Sequence, residues 1–277
     1  MRCFLSFRFT SSCLFVVLFF TNTIQAQSPM ADMFCGLRNV STRSGEVLDY
    51  KVFYTLAGMY VGAGHVSFSN TVEMYQRKPV YHVKGEGGTF PSYDWFYKVR
   101  DVYESYIDTN TLLPLKFVRQ VNEGGTHIYS QVLFQSQPKK AISLQGAYSV
   151  PDCIQDVLSA IYYARNIDFN QYKPGDKIPF SIFLDDQVFP IYLRFLGREI
   201  LHTRYGDYHT IKFKPLLIEG TIFTGGEQMN VWVTDDDNRL PVLIETPILV
   251  GSIKVYLQSF RGLRNRTNGI IHTRNSD

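Results

Sequence analysis

The chain has 277 residues, a formal net charge of +3 and 15% aromatic residues, most of them Phe and Tyr. This length can bury a large core, and the aromatic content argues against a disordered chain. The nearly balanced charge excludes the basic surface that nucleic acid or an anionic membrane would require.

The start of the chain has the pattern of a secretory signal peptide. Arg2 and Arg8 supply the positive region, CLFVVLFF (13–20) is the apolar region, and IQA before Gln27 predicts cleavage after Ala26. The apolar run is shorter than the roughly 20 residues of a spanning helix, although an uncleaved anchor is the alternative. We expect an exported protein, in the periplasm of a Gram-negative bacterium, with no transmembrane span in the mature chain.

Cleavage would leave Cys35 and Cys153 as the cysteines of the mature chain. Residues 1–26 carry two arginines and no acid, so their loss lowers the net charge from +3 to +1. In an oxidising compartment a Cys35–Cys153 disulfide would contribute about 2–4 kcal/mol. The alternative is two unpaired, partly buried thiols, and the sequence leaves both open.

Short strands with turn residues between them follow the leader (27–44). EVLDYKVFYT (46–55) and AGHVSFSN (63–70) predict one hairpin, and TVEMYQ and VYHVKGE predict a second across RKP. GEGGTFPSYDWFY (85–97) interrupts the alternation and is predicted as a Gly-rich loop followed by an aromatic cluster. Strands resume near 115–122 and 127–134.

The second half of the chain repeats this style. DDDNRLP (235–241) is a hairpin connection, and the polar tail over 261–277 is expected to be frayed. No solenoid repeat or low-complexity linker divides the region 45–260, which predicts a single mainly β domain of antiparallel meanders. Its strands are predicted near 178–184, 188–196, 198–204, 207–214, 228–234, 240–246 and 249–258.

DCIQDVLSAIYYARN (152–166) predicts one amphipathic helix over about residues 153–165. Asp152 is expected to cap it, with Gln155 reaching back. About 13 residues are marginal as an isolated helix, so the element must be packed on the sheet. Its apolar side chains fall at i, i+3, i+4, i+7 and i+8: Ile154, Val157, Leu158, Ile161 and Tyr162.

Several strands are apolar on both faces. VFPIYLRFL (188–196) and MNVWVT (229–234) place apolar side chains on each side, whereas a sheet with one wet face alternates more cleanly. A second layer, the helix or a ligand must therefore cover the second face.

Moderate matches spread along the chain resemble an exported bacterial family of unknown function. They are GEVLDYKVFY, VRDVYESYID, QDVLSAIYYAR, VWVTDDDNRLPVLIE and GSIKVYL, between Gly45 and Leu257. The most recognisable residues are Asp156, Ser159, Tyr162 and Arg165 on the helix and Trp232, Asp236, Leu240 and Pro241 in a hairpin. The chain resembles domain-of-unknown-function family 3108 (DUF3108), with a looser similarity to the lipoprotein-carrier (LolA/LolB-like) folds. The resemblance implies a curved sheet or unclosed barrel with the helix packed on it, and no assigned activity.

No catalytic signature accompanies these patterns. The chain has no nucleophile elbow, zinc-protease motif, P-loop or dinucleotide fingerprint, and we expect no cofactor. The histidines are scattered singly. His202 and His209, with Asp207, form a weak candidate for a metal site, and ordinary half-exposed strand histidines are the interpretation we favour.

The strands also carry many carboxylates. A facing pair would suit a glycosidase, whereas cross-strand ion pairs with partners such as Arg100 and Arg119 are the simpler interpretation. The carboxylates considered are Asp101, Glu104, Asp108, Glu123, Glu219, Glu227 and Glu245.

The aromatic cluster after the glycines is a candidate mouth or lid of a binding site, although a core plug at one end of the sheet is the interpretation we favour. Phe96 and Tyr97 belong to this cluster, and Tyr163 with Arg165 would face a cavity rim or the surface. The candidate ligand-lining residues are Phe90, Tyr93, Trp95, Tyr162, Tyr163 and Trp232.

Three functions remain open at this stage. The first is a non-catalytic envelope protein that binds or carries an apolar or amphipathic ligand, such as a lipid, between sheet and helix. The second is a structural module that recognises an envelope protein partner. The third is a glycan-directed enzyme.

Overall fold

The structure is a computed structural model that describes residues 35–56, 59–95, 97–218, 225–248 and 250–274. The predicted signal peptide and its cleavage site after Ala26 lie outside these residues, as do Phe96 and Glu219.

The described residues form fifteen strands, one α-helix and two short 3₁₀ turns, Pro91–Tyr93 and Phe169–Gln171. The helix is α1 (Val157–Ala164). The strands are β1 (Glu46–Leu56), β2 (Met59–Tyr75), β3 (Lys78–Thr89), β4 (Arg100–Asp108), β5 (Pro114–Glu123), β6 (Thr126–Ser136), β7 (Lys139–Ile142), β8 (Ala147–Ser149), β9 (Lys177–Leu184), β10 (Gln187–Thr203), β11 (Gly206–Pro215), β12 (Asn230–Thr234), β13 (Pro241–Pro247), β14 (Ser252–Arg261) and β15 (Ile270–Thr273).

All strands belong to one antiparallel sheet in the order β8-β7-β6-β5-β4-β3-β2-β1-β14-β13-β12-β11-β10-β9, with β15 added beside β11. Two meanders, β1 to β8 and β9 to β14, are joined where β1 pairs with β14. The helix lies in the connection between the two sheet edges, β8 and β9. This confirms the predicted mainly β architecture of antiparallel meanders with one helix.

The two ends of the sheet curl toward each other. The ring of Phe183 on β9 lies 6.2 Å from that of Phe134 on β6 and 5.6 Å from that of Tyr148 on β8. Within the described residues no ladder joins β8 to β9, so the sheet is not closed. Instead Gln155 pairs with the β9 edge, donating to Ser181 O (3.0 Å) and accepting from Phe183 N (2.8 Å).

This edge pairing explains why α1 starts later than the expected residue 153. With Gln155 committed to β9, the N-cap is Asp156 rather than Asp152. One carboxylate oxygen of Asp156 accepts from the backbone N–H of Leu158 (2.8 Å) and Ser159 (2.7 Å), and Ser159 Oγ accepts from Asp156 N. This is a complete capping box.

Four other elements differ from the prediction in where they begin or end. β2 and β10 are continuous 17-residue strands; in β10 a bulge at Gly197, with φ of 119°, bends the strand without ending it. Residues 85–89, expected in a loop, continue β3 opposite β2 and β4. The tail is not frayed as far as Arg274, because β15 pairs with β11.

The end of α1 is fixed to the N-terminal segment by buried polar groups. Arg165 donates to both carboxylate oxygens of Glu46 (2.6 and 2.8 Å) and, through Nε, to Asn238 O (3.0 Å). Asn166 Oδ1 accepts from the backbone N–H of Val40 (2.7 Å). These bonds hold the helix in one orientation on the concave side of the sheet, where it packs against β3, β4 and β9.

Candidate ligand-binding groove

A groove of about 290 Å³ runs between one flank of α1 and the facing strands β2, β3 and β4. It is predominantly apolar, and Ile161 on its helical wall is 41% exposed although it belongs to the predicted apolar stripe. The lining residues are Val66, Phe68, Gly85, Glu86, Gly87, Asp101, Tyr103, Val157, Leu158 and Ile161.

Two glycines on β3 explain why this space is open. Gly85 pairs with Phe68 on β2 and with Tyr103 on β4, so it occupies a position where a side chain would point toward the helix. A Cβ on Gly85 would lie 2.9 Å from Cε1 of Phe68, and one on Gly87 would lie 3.4 Å from Cγ2 of Val66. Glycine inside a strand often marks such a close approach.

A narrower part of about 50 Å³ adjoins this wide part and shares Phe68 and Ile161 with it. Tyr162 lines this part and is 3% exposed. Its hydroxyl has no hydrogen-bond partner among the described residues. The other lining residues are Leu48, Tyr50, Arg165, Pro241, Ile244 and Val255.

The charges around the narrow part are balanced. The Arg165 guanidinium lies 5.2 Å from the centre of the Tyr162 ring, and its bonds go to Glu46, Asn238 and Ser41. Burial, followed by the negative charge of Glu46, raises the pKa of Tyr162. The phenol therefore keeps its proton and remains a donor.

The mouth of the wide part is acidic. Asp101 lines it, and Glu123 on β5 hydrogen-bonds the Asp101 carboxyl. Burial, then this hydrogen bond and the repulsion from Asp101, raises the pKa of Glu123 to about 6. Near neutral pH this mouth therefore carries negative charge.

The candidate ligand-lining residues separate into different places. Tyr162 lines the groove, whereas Tyr163 is fully buried and its hydroxyl accepts from Leu37 N at 3.3 Å. Trp232 is buried in a second core and donates to Glu199 at 2.5 Å. Phe90, Tyr93 and Trp95 are not among the residues that line the groove.

The aromatic cluster lies on the loop between β3 and β4. Phe90 stacks on His65 with centroids 6.0 Å apart. Trp95 is 84% exposed, so the interpretation of the cluster as a core plug is wrong for this residue. The loop is held instead by polar contacts, with Arg100 donating to Asp94 at 2.7 Å.

Most of the carboxylates take part in ion pairs. Glu104 lies 2.7 Å from His82, Glu227 2.6 Å from Arg194, and Glu245 2.6 Å from Lys254. Arg119 pairs with Asp185, in the turn between β9 and β10, rather than with one of these carboxylates. Asp101 and Glu123 are the two that meet each other.

His202 on β10 is paired with Asp207 on β11, and its Nδ1 lies 2.9 Å from an Asp207 carboxylate oxygen. His209 is paired with Ile200 instead. Among the described residues no group of three or more His, Cys, Asp or Glu side chains has an arrangement that would hold a metal ion.

Cys35 and Cys153 are joined in the structure, with their Cα atoms 5.5 Å apart. The link ties the N-terminal segment to the residues that precede α1. Leu37, two residues on, then reaches the Tyr163 hydroxyl.

The sequence pattern does not reveal that Gly85 and Gly87 form the groove floor, because a Gly-rich stretch is typical of a loop. The available signal was the spacing itself: glycines at i and i+2 lie on the same face of a strand. Phe68 and Ile161 were recognised as apolar but not as walls of an open space.

The family model for DUF3108, a protein of unknown function, matches residues 49–258. The structure is similar to a β-barrel-like protein of domain of unknown function DUF1849 from Brucella abortus, with 9% identity and a TM-score of 0.54 over 81% of this chain and 98% of that one. A putative exported protein with a YmcC-like fold from Bacteroides fragilis aligns at 10% identity and a TM-score of 0.33, over 82% and 100%.

No curated protein matches the chain. In the part of the chain that the structure describes, no helix is long and apolar enough to cross a membrane. The family match extends over most of the chain and confirms the resemblance seen in the sequence. The chain belongs to the DUF3108 family of proteins of unknown function.

Proposed function

We propose that this chain is an exported protein of the cell envelope that binds an apolar or amphipathic ligand in the groove beside α1. The observation that carries the proposal is the open space between Ile161 and the glycine floor of β3, since large side chains in a β-rich core normally interdigitate. A concave, mostly apolar surface with a few polar groups is the usual form of a small-molecule site.

The size of the groove favours a slender ligand. About 290 Å³ is at the lower end of the roughly 300–1,000 Å³ typical of small-molecule pockets. A ligand would cover apolar surface of Ile161, Val157 and Phe68, and each square ångström covered contributes about 25 cal/mol. A single alkyl chain or a slender aromatic molecule fits this description better than a fused four-ring system.

The proposed location rests on the first 26 residues and the cysteines. The signal-peptide pattern predicts export to the periplasm of a Gram-negative bacterium, and a Cys35–Cys153 disulfide suits an oxidising compartment. Intact-mass measurement of protein from envelope extracts should give a chain that begins at Gln27. A mass that still includes residues 1–26 would contradict cleavage.

A second function, docking on an envelope protein, is favoured by exposed apolar side chains at one end of the sheet. Three side chains are exposed at the end of the sheet where the strand pairing brings these segments together: Met59 at the start of β2, and Trp95 and Val250 on connections. A stable envelope complex that is lost in Met59→Ser with Trp95→Ser, while ligand binding remains, would favour this function.

The glycan-directed enzyme is disfavoured by the geometry of the acidic pair. Asp101 is close enough to Glu123 to hydrogen-bond its carboxyl, whereas glycosidase carboxyls stand roughly 5–10 Å apart to admit the sugar. This pair therefore lacks the spacing of a glycosidase acid and nucleophile.

The test of ligand binding uses delipidated protein and N-phenyl-1-naphthylamine, an uncharged apolar dye. We expect saturable fluorescence enhancement, strongly reduced by Gly87→Phe, which fills the floor, and by Ile161→Asp, which places a charge on the wall. Lys84→Phe is the matched control, because it adds the same ring to β3 at a position one residue from Gly85, on the opposite face. Absent or non-saturable enhancement in the wild type would overturn the proposal.

A further inference from the structure

We infer that the groove selects an uncharged acyl amphiphile, with a carbonyl oxygen that accepts a hydrogen bond from the Tyr162 hydroxyl and an alkyl chain that lies over Gly85 and Gly87. The inference rests on the proposed function and names the ligand class. It combines one buried donor, the charges at both ends of the groove and the two residues that its adjoining parts share.

The buried donor is the first step. Tyr162 lines the narrow part, is 3% exposed and has a hydroxyl without a hydrogen-bond partner among the described residues. Buried hydroxyls nearly always find a partner, because an unmade hydrogen bond costs free energy. A ligand carbonyl in the narrow part supplies the missing acceptor.

The charge balance excludes a carboxylate at that position. The Arg165 guanidinium already forms a two-bond pair with Glu46 and bonds the carbonyls of Asn238 and Ser41. A ligand carboxylate would be a second buried anion beside Glu46 without a cation of its own, which is costly. An ester or ketone oxygen accepts the same hydrogen bond without adding charge.

The charges at the mouth of the groove also disfavour an anionic ligand group. The Asp101 carboxyl lines the mouth, Glu123 is hydrogen-bonded to it, and none of the residues lining the wide part is basic. An anionic group is therefore disfavoured at either end, whichever way the ligand enters.

The path between the ends fits an alkyl chain. Phe68 and Ile161 line both parts of the groove, so the two parts adjoin at these residues. In the inferred complex the alkyl chain starts at Tyr162 and passes between Phe68 and Ile161 into the wider space over the glycines. The side chains along this path, Val66, Val157 and Leu158, are apolar.

The experiment is displacement of bound N-phenyl-1-naphthylamine at pH 8 by three ligands that share an unbranched ten-carbon chain: methyl decanoate, decanoate and decane. We expect the ester to displace the dye at roughly 3- to 10-fold lower concentration than decane, the gain of one hydrogen bond, and to exceed decanoate by at least about 10-fold. In Tyr162→Phe the advantage of the ester over decane should disappear.

Tyr163→Phe is the matched control, since it removes a buried hydroxyl that already has a partner in Leu37 N. It should lower the Tm and leave the ester advantage intact, whereas Tyr162→Phe should not lower the Tm of ligand-free protein. Decanoate binding more tightly than the ester, or an ester advantage that survives in Tyr162→Phe, would overturn the inference while leaving the dye site in place. Failure of the dye to bind would instead remove the proposed function itself.

Discussion

Two rows of side chains on α1 show opposite burial. Ser159 and Tyr163, which carry hydroxyls, are both fully buried, while Val157 and Ile161, which are apolar, line the groove, with Ile161 41% exposed. Each row consists of residues four apart, so both run along the helix axis. Hydropathy alone would predict that the apolar row is buried and that the row with hydroxyls is exposed.

The difference comes from what lies opposite each row. The Tyr163 hydroxyl is used by Leu37 of the N-terminal segment, and Ser159 closes the capping box with Asp156. Opposite Ile161 and Val157 the strand presents Gly85 and Gly87, which have no side chain to fill the space. Partners in the rest of the fold, rather than the helix itself, therefore decide which flank is packed and which is available to a ligand.

The largest expected effect comes from releasing the end of the helix. Glu46→Gln leaves the Arg165 charge buried without its carboxylate, and breaking such a pair costs about 3–5 kcal/mol. Both rows would then lose their fixed orientation. The measurement is the free energy of unfolding in urea.

Glu245→Gln provides the control for that variant, because Glu245 pairs with Lys254 at 2.6 Å on a partly exposed part of the sheet. Pairs of that kind contribute about 0–1 kcal/mol. If the two substitutions cost the same, Glu46 does not anchor the helix.

The second largest loss of stability is expected from removing Asp156, the N-cap of α1. Asp156→Ala removes the acceptor for two backbone N–H groups and for Ser105 Oγ, which donates to Asp156 at 2.6 Å. We expect a loss of about 2–4 kcal/mol from the lost cap and the unpaired buried hydroxyl. Asp156→Asn should retain most of the stability, since asparagine also caps helices; an equal loss in both variants would contradict the capping role.

Asp156 also makes the free energy of unfolding depend on pH, and the direction of that dependence follows from its pKa. Burial, partly offset by the hydrogen bonds from Ser105 and from the backbone, raises the pKa of Asp156 from 3.8 to about 6. Between these values the unfolded chain has released its proton while the folded chain still holds it, so stability falls as pH rises from about 4 to 6. Asp156→Asn should remove this part of the decline in urea unfolding, and the part due to Glu123 should remain.

The sequence predicts those features that depend on local period and on turn residues. Alternation in EVLDYKVFYT and AGHVSFSN predicts the β1–β2 hairpin, and the spacing of Leu158, Ile161 and Tyr162 predicts the helix. These patterns arise from side-chain direction along one element, which a single segment records.

The remainder depends on pairing between distant segments. Gly85 and Gly87 suggest a loop until β2 and β4 pair on either side of them. Asp152 looks like the cap until Gln155 joins the edge of β9, which moves the helix start to Val157. The burial of Tyr163 requires Leu37, 126 residues away. In each case the partner that decides the structure lies outside the segment whose pattern was interpreted.

The smallest loss of stability is expected from Ile161→Ala, which tests the flank of α1 that faces the groove. Leu158 on the same helix has an isomeric side chain and serves as the comparison. Leu158 is 3% exposed and Ile161 41% exposed. Leu158→Ala should cost about 2–5 kcal/mol as a core truncation. Ile161→Ala should cost about 1 kcal/mol, because much of its surface is in water before and after the change. Ile161→Ala should still weaken dye binding, since it removes part of the groove wall. Equal destabilisation in urea unfolding would mean that Ile161 is packed in solution, and the distinction between the two rows would then be lost.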